Sequence, residues 1–236
     1  MPPPRTPSKA LSGPPERPRT RVVGETRRPV LTAGRPEPGG GLPWRQLPAE
    51  RPSGRAAAGG ASPPVPTLYI VERTARAIDS HVRERAQEGE EALGLLVGDW
   101  ARDPGGAPFS VAMDAPTGPL EGSPVSARFT PEGLAKVARS LAGIRYDYVV
   151  VGWYHSHPGM GVFMSATDIR TQRAGFPHPH QVALVVDPGS GEATAFANGP
   201  GGPGTERAPI VATRAWEPPR GKGGKEGQAP SPSVSS

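Results

Sequence analysis

The chain has 236 residues and a formal net charge of +5 at pH 7, and it contains 33 prolines, 32 glycines and no cysteine. So much proline and glycine is typical of a chain with low-complexity segments, so one domain with unstructured tails fits better than two domains. The lack of cysteine excludes a disulfide scaffold, a zinc ribbon, an iron–sulfur cluster and a thiol nucleophile, and it favours a cytoplasmic protein.

Residues 1–66 carry a net positive charge, with 11 Lys or Arg against 4 Asp or Glu, and they hold 16 of the prolines. This composition, without a hydrophobic period, predicts a disordered Pro/Arg-rich leader that adds little to stability. A basic arm can also bind nucleic acid, but aromatic residues for base stacking are nearly absent, so we expect no nucleic-acid partner. Residues 217–236, rich in glycine, proline and serine, are predicted to form a disordered tail.

The hydrophobic pattern of residues 67–216 predicts a mixed α/β domain that is large enough to bury a core. Its first half is predicted to contain a short strand, an amphipathic helix with Thr74 as N-cap, and two more strands. His81 falls outside the apolar face of that helix and is predicted to lie at the surface. In chain order these elements are Leu68–Val71, the helix burying Ala75, Ile78, Val82 and Ala86, Glu91–Gly98, and Phe109–Asp114.

The second half is predicted to alternate helices and strands and to end in a glycine-rich loop and a last strand. The longest apolar run, Tyr148–Tyr154, has the length of a strand and is too short for a membrane span, so no membrane partner is expected. In chain order the elements are a helix from Thr130-Pro131 burying Leu134, Val137, Ala138 and Leu141, the strand Tyr148–Tyr154, the helix Ser165–Gln172, a hairpin of Gln181–Asp187 and Glu192–Ala197, the loop Gly199–Gly204, and a strand near Pro209–Trp216.

Two pairs of polar residues follow the strongest predicted strand. His155 and His157 are two apart, which places both imidazoles on one face of a strand. Ser165 and Asp168 are three apart, so they share one face of a helix. Two histidines and one carboxylate with a free fourth position is the ligand pattern of a catalytic zinc site, whereas a structural site uses four protein ligands.

Each part of this pattern also has a structural explanation. A His-x-His at the end of a strand is often the polar start of a loop. Ser165-x-x-Asp168 matches a helix capping box, which needs no catalysis. Glu91, beside Glu90, fits an exposed charge at the edge of a sheet. Taken singly, these explanations are favoured, so the functional interpretation depends on the joint spacing.

That joint spacing resembles the JAMM motif of the MPN-plus (JAB-domain) zinc metalloproteases. The matching residues are Glu91-Ala-Leu-Gly-Leu-Leu-Val-Gly98, then His155-Ser-His157-Pro, and then Ser165-x-x-Asp168, with seven residues between His157 and Ser165. The resemblance covers roughly residues 67–216. It implies a single MPN (JAB) domain of the α/β class, with a mixed central β-sheet flanked by helices as in cytidine deaminases. The compact domain and the Ala/Arg/Gly-rich composition are similar to those of bacterial members of this family.

The resemblance also implies a role for each motif residue. His155, His157 and Asp168 would bind one Zn²⁺ per chain, with water in the fourth position, and zinc lowers the pKa of such a water to about 7. Glu91 would act as general base and then as general acid. Ser165 would donate a hydrogen bond to the developing oxyanion.

The substrate class follows from the same resemblance. These enzymes hydrolyse a peptide or isopeptide bond after the C-terminal glycine of a ubiquitin-like or sulfur-carrier protein, and some bacterial members act beside E1- and E2-like pathway proteins. The alternative is a catalytically silent MPN scaffold that binds other proteins. Silent members typically lack one or more of the five motif residues, and all five are present here, which favours the enzyme.

Overall fold

The computed structural model describes residues 32–46, 65–123, 126–143 and 149–217. Within these ranges the chain forms eleven strands and three helices, and none of the helices combines the length and the apolar character that crossing a membrane requires. The elements are β1 (Arg45–Gln46), β2 (Thr67–Val71), α1 (Glu72–Gln87), β3 (Leu93–Arg102), β4 (Pro108–Asp114), β5 (Leu120–Ser123), β6 (Ser126–Phe129), α2 (Pro131–Gly143), β7 (Val149–Ser156), α3 (Ala166–Gly175), β8 (Val182–Asp187), β9 (Glu192–Gly199), β10 (Gly202–Ala208) and β11 (Ile210–Thr213).

Nine of the strands form one sheet in the order β1-β9-β8-β7-β3-β4-β2-β11, with β10 also paired to β9. The sheet is mixed, because β7 pairs with β8 and β2 pairs with β4 and β11 in parallel, whereas β3 is antiparallel to both of its neighbours. Helix α1 buries Ala75, Ile78 and Val82 in the largest apolar cluster. The predicted α/β class, with a mixed central sheet and flanking helices, is confirmed.

The two edges of this sheet approach each other. Strand β10 pairs with β9 at one edge, β11 pairs with β2 at the other, and only Pro209 separates β10 from β11 along the chain. Residue Gln46 of β1 connects the edges, since β1 pairs with β9 while the Gln46 side-chain amide exchanges two hydrogen bonds with the backbone of Ile210. The sheet therefore curves so that its two edges lie close together.

Residues 32–46, which we call the strap, correct the prediction of a disordered leader. Trp44 is 5% exposed within the main core cluster, and its Nε1 donates a hydrogen bond to Asp79 of α1. Earlier in the strap, the Gly39 N–H donates a hydrogen bond to the carbonyl of Ala212 in β11. The strap is thus part of the folded domain, since burying an indole contributes substantially to stability. Residues 1–31 and 47–64 of the predicted leader and residues 218–236 of the predicted tail lie outside the described residues.

Three local predictions on the helices are also corrected. Helix α1 begins at Glu72 with Val71 as N-cap, and the buried Thr74 hydroxyl donates to the Met113 carbonyl instead of capping the helix. His81, predicted at the surface, is half-buried and hydrogen-bonds the Tyr154 hydroxyl. Leu134, predicted to be buried, is 57% exposed.

All seven predicted strands are present in the predicted order, as β2, β3, β4, β7, β8, β9 and β11, with differences at their ends. Strand β3 starts two residues after Glu91 and continues to Arg102. Strand β10 starts at Gly202, inside the predicted glycine-rich loop. The hairpin of β5 and β6 was not predicted. Tyr148, the predicted start of the strongest strand, lies outside the described residues.

Candidate active site

Strand β7 carries the two histidines to the edge of a cleft. His155 is the second-last residue of β7 and pairs with Leu93 of β3, and His157 follows the strand directly. Both histidines are 3% exposed. Their rings lie with centroids 4.9 Å apart, so the pair forms one buried group of imidazoles, as the two-residue spacing predicts.

Helix α3 brings Asp168 to these histidines. The Asp168 Oδ2 lies 3.4 Å from His155 Nε2 and 3.5 Å from His157 Nε2. Ser165 is the N-cap of α3: its hydroxyl accepts a hydrogen bond from the Asp168 N–H, and the Asp168 carboxylate accepts one from the Ser165 N–H. The capping box is therefore real, and it holds the Asp168 carboxylate where it also faces the imidazoles.

Glu91 reaches the same site from the segment before β3. Its Oε1 lies 3.9 Å from His157 Nε2, and the residue is 6% exposed, so it is not the exposed edge charge that the sequence also allowed. The Glu91 N–H donates to the Ser123 carbonyl of β5. The next residue, Ala92, exchanges two hydrogen bonds with Ser156 of β7, one of them to the Ser156 hydroxyl. Glu91 is thus held by β7 and by the β5–β6 hairpin.

A small cleft opens onto this group. Its walls come from the segment before β3 and from β3, β6, β7 and α3. The lining residues are Glu91, Leu93, Ala127, Trp153, His155, Thr167, Asp168 and Thr171. The carboxylates of Glu91 and Asp168 and one histidine therefore face a space that a substrate can enter.

The two acidic residues have opposite pKa shifts. Burial raises the pKa of Glu91 to about 7, because desolvation of its carboxylate and the nearby Asp168 charge outweigh the attraction of His157. Burial also acts to raise the pKa of Asp168, but the bonds from His155, His157 and Ser165 outweigh it and hold that pKa far below its usual range. Asp168 is therefore ionised near neutral pH, whereas the Glu91 carboxylate holds a proton more readily than an ordinary glutamate does.

The two histidines differ in the same way. Complete burial lowers the pKa of His155, which favours the neutral imidazole that binds metals. Burial acts to lower the pKa of His157 as well, but its hydrogen bond to Asp168 and the charges of Asp168 and Glu91 outweigh burial and raise it.

These residues fit a single zinc ion. One ligand atom from each of His155, His157 and Asp168 lies within 4.8 Å of the others, and no other group of three potential ligands occurs among the described residues. Within the described residues, the buried Nδ1 of His155 has no hydrogen-bond partner, whereas its Nε2 faces the Asp168 carboxylate. Two imidazole nitrogens and one carboxylate oxygen form a ligand set that zinc accepts in catalytic sites, so the observed residues meet the chemical requirement.

The sequence interpretation missed two residues behind the ligands. The Trp153 indole stacks on the His155 imidazole, and its Nε1 donates to the buried Gln172 of α3. A signal was present in the spacing, because Trp153 lies two residues before His155 on β7 and Gln172 lies four residues after Asp168 on α3. Both residues had been assigned only to secondary structure.

Residues 73–175, which include all five motif positions, match the family described as JAB1/Mov34/MPN/PAD-1 ubiquitin protease. The structure is similar to the solution structure of protein DSY2949 from Desulfitobacterium hafniense, with a TM-score of 0.44 and 19% sequence identity. The similar region covers 64% of this chain and 96% of the Desulfitobacterium chain.

Curated relatives match the same region. The chain is 36% identical over 107 residues to the ubiquitin carboxyl-terminal hydrolase RPN11 of Saccharomyces cerevisiae, which covers 44% of this chain and 33% of that protein. It is 34% identical over 125 residues to the 26S proteasome regulatory subunit RPN11 of Eremothecium gossypii, which covers 52% of this chain and 38% of that protein. It is 31% identical over 103 residues to subunit 5 of the COP9 signalosome complex of Debaryomyces hansenii, which covers 42% of this chain and 21% of that protein. The similarity thus spans well under half the length of each relative.

Proposed function

We propose that this chain, whose residues 73–175 match the JAB family, is a zinc-dependent peptidase or isopeptidase. The proposed substrate is a ubiquitin-like or sulfur-carrier protein, cleaved after its C-terminal glycine. The observation that carries the proposal is the meeting of Glu91, His155, His157 and Asp168 at one cleft, from three separate parts of the chain.

His155, His157 and Asp168 are the residues that would hold the zinc ion, one per chain. When bound, zinc supplies Lewis acidity, which lowers the pKa of water and polarises a carbonyl. The two imidazoles and the ionised Asp168 give the site the charge and donor atoms that this ion needs. Hydrogen bonds of the capping box fix the Asp168 carboxylate before any ion binds, so part of the site is preorganised.

Glu91 is the proposed general base and acid. It accepts a proton from the attacking water and later donates it to the amine nitrogen that leaves. Its buried carboxylate lines the cleft beside His157 but does not belong to the group of three ligands. That position suits a residue that must reach the water without binding the metal.

Ser165 is the proposed donor to the oxyanion. Its hydroxyl oxygen accepts from the Asp168 N–H at 3.2 Å, and a hydroxyl can accept and donate at the same time. The capping role that the structure shows is therefore compatible with donation to a developing negative charge. Loss of one such donor typically lowers turnover about 10²–10³-fold.

The β5–β6 hairpin gives an extended substrate tail a place to bind. Ala127 of β6 lines the cleft, and the hairpin forms a two-stranded sheet separate from the large one. Main-chain hydrogen bonds to an exposed strand edge accept many sequences, including a glycine-ended tail. Thus we place the tail along this hairpin, with its last carbonyl directed toward Ser165, the proposed oxyanion donor. E1- and E2-like proteins are the pathway partners that such a substrate implies.

Incubation of the full-length chain, loaded with zinc, with glycine-ended ubiquitin-like fusions tests the proposal. Mass spectrometry should find cleavage directly after the terminal glycine, and a chelator should abolish it until zinc is restored. A linear fusion and a lysine-linked conjugate tested in parallel separate peptidase from isopeptidase activity. Zinc bound at one ion per chain without cleavage of any of these substrates would instead support the scaffold alternative.

A further inference from the structure

Trp153 packs flat against the histidine next to it on the same face of β7. The indole and the His155 imidazole have centroids 4.4 Å apart and an interplanar angle of 14°. Both residues are 3% exposed, so this contact is fully inside the protein. The stack restricts the tilt of the imidazole plane.

Among the described residues, no hydrogen bond from Nδ1 restricts that plane in the usual way. A metal-binding histidine normally donates its second ring N–H to a carbonyl or a carboxylate, which fixes the orientation of the ring. The Nδ1 of His155 is buried and has no such partner among the described residues. The orientation of His155 therefore depends on packing, and Trp153 is its stacked neighbour on β7.

Gln172 in turn holds Trp153. The indole Nε1 donates to the Gln172 Oε1 at 2.7 Å, and Gln172 is completely buried. On its other side, the two N–H groups of the Gln172 amide face three acceptors: Phe176 O at 3.0 Å, Gln181 O at 3.3 Å and Asn198 Oδ1 at 3.1 Å. An indole N–H is only a donor and the three other partners are acceptors, so the Gln172 amide has one satisfactory orientation.

The same helix supplies the third ligand. Gln172 lies one turn after Asp168 on α3, and the two are the buried polar residues of that helix. Helix α3 thus provides one ligand directly and reaches the His155 ligand through Trp153.

We propose that Gln172 and Trp153 are positioning residues that orient His155 for metal binding. This inference rests on the proposed function, in which His155, His157 and Asp168 hold zinc. Neither residue needs to contact the ion, and their contribution is to keep the His155 Nε2 directed at Asp168 Oδ2.

Zinc affinity, measured by competition with a chromogenic chelator on the full-length chain, tests the inference. Gln172→Leu removes the acceptor of the indole N–H, and Trp153→Leu removes the stacked ring. Each should weaken zinc binding about 10- to 100-fold, the range found for residues that orient metal ligands. The visible spectrum of the cobalt-substituted protein should shift, because the ligand geometry changes.

Trp100→Phe is the matched control. Trp100 also stacks on a histidine, His180, with centroids 4.5 Å apart and an interplanar angle of 3°, but outside the ligand group. Its substitution should leave zinc affinity unchanged. If Gln172→Leu does not fold, Trp153→Phe tests the same link, because it keeps an aromatic face and loses only the donor to Gln172. A weaker zinc affinity in Trp153→Phe than in the unmodified chain supports the inference.

Two results would overturn it, and they differ from each other. If the unmodified chain binds one zinc and the folded Gln172 and Trp153 variants bind it equally tightly, the two residues are only structural and the proposed function stands. If the unmodified chain itself binds no zinc, the proposed function fails and this inference fails with it.

Discussion

The hydroxyl of Ser156 accepts a hydrogen bond from the backbone N–H of Ala92 at 2.8 Å. Ser156 is the residue between the two histidines, and Ala92 directly follows Glu91. The bond is completely buried, and a second one runs from the Ser156 N–H to the Ala92 carbonyl. The proposed base and the proposed ligands are thus joined by one residue that takes no part in the chemistry.

Ser156→Ala should separate activity from metal binding. The change leaves the Ala92 N–H buried without an acceptor, which costs about 1–3 kcal/mol of stability. A displaced Glu91 should lower turnover about 10- to 100-fold, while zinc content stays the same. Hydrolysis rates and zinc content of the purified variant check this. Ser110→Ala is a control that removes an equally buried hydrogen bond, to the His180 carbonyl, away from the site.

Glu91→Gln should keep the fold and the zinc but lose hydrolysis, because an amide cannot carry the proton. General acid–base catalysis contributes about 10²–10⁴-fold, so the rate should fall by that factor. Glu90→Gln is the control, since the Glu90 carboxylate is paired with Arg85 and does not line the cleft. Near-normal turnover in Glu91→Gln would contradict the assigned role of this residue.

The ionisation of the Asp187 carboxyl should make the stability of the fold depend on pH. Burial acts to raise its pKa, but hydrogen bonds from the Gly159, Gly189 and Gly161 N–H groups outweigh burial and hold the pKa below its usual value. Since the pKa is lower in the folded state, the stabilisation is complete above the unfolded-state pKa of about 3.9 and is lost as the pH falls through the folded-state pKa.

Unfolding measurements between pH 7 and pH 3 on the unmodified chain and on Asp187→Asn check that dependence. The unmodified chain should be the more stable of the two at pH 7, and its advantage should shrink at the acid end of the range. A difference that stays constant with pH would show that the Asp187 charge does not contribute.

Trp44→Ala should destabilise the whole domain, because the strap is part of its core. Replacing a buried tryptophan by alanine typically costs about 3–5 kcal/mol, and here the bond to Asp79 is lost as well. Denaturant unfolding measures the change. Leu134→Ala, at a residue that is 57% exposed, should change stability by only about 0.5 kcal/mol. An equally small effect of Trp44→Ala would restore the prediction of a leader without structural importance.

The spacing of polar residues predicted which side chains share a face within each pair, and the resemblance to the JAMM motif predicted that the pairs meet. His155 and His157 follow a strand and Ser165 and Asp168 begin a helix, and these local geometries are decided by neighbours in the chain. The position of Glu91 was not predictable in this way, because it depends on long-range bonds to Ser123 and on the neighbouring bonds of Ala92 to Ser156.

Composition misled the prediction in the strap. Proline and glycine are frequent there, which resembles a disordered leader, yet Trp44 is an apolar residue with a place in the core. Thr74 shows the same limit on a smaller scale, since it has the chemistry of an N-cap but finds its partner in the Met113 carbonyl of β4. In both cases a tertiary contact outweighed the local preference.

Zinc content per chain is the most direct test of the central claim that His155, His157 and Asp168 form one metal site. The purified full-length chain should contain one zinc, Asp168→Ala should lose it, and Asp114→Ala, at an exposed aspartate of β4, should keep it. An unmodified chain without zinc, or an Asp168→Ala variant that retains one ion per chain, would contradict the assignment.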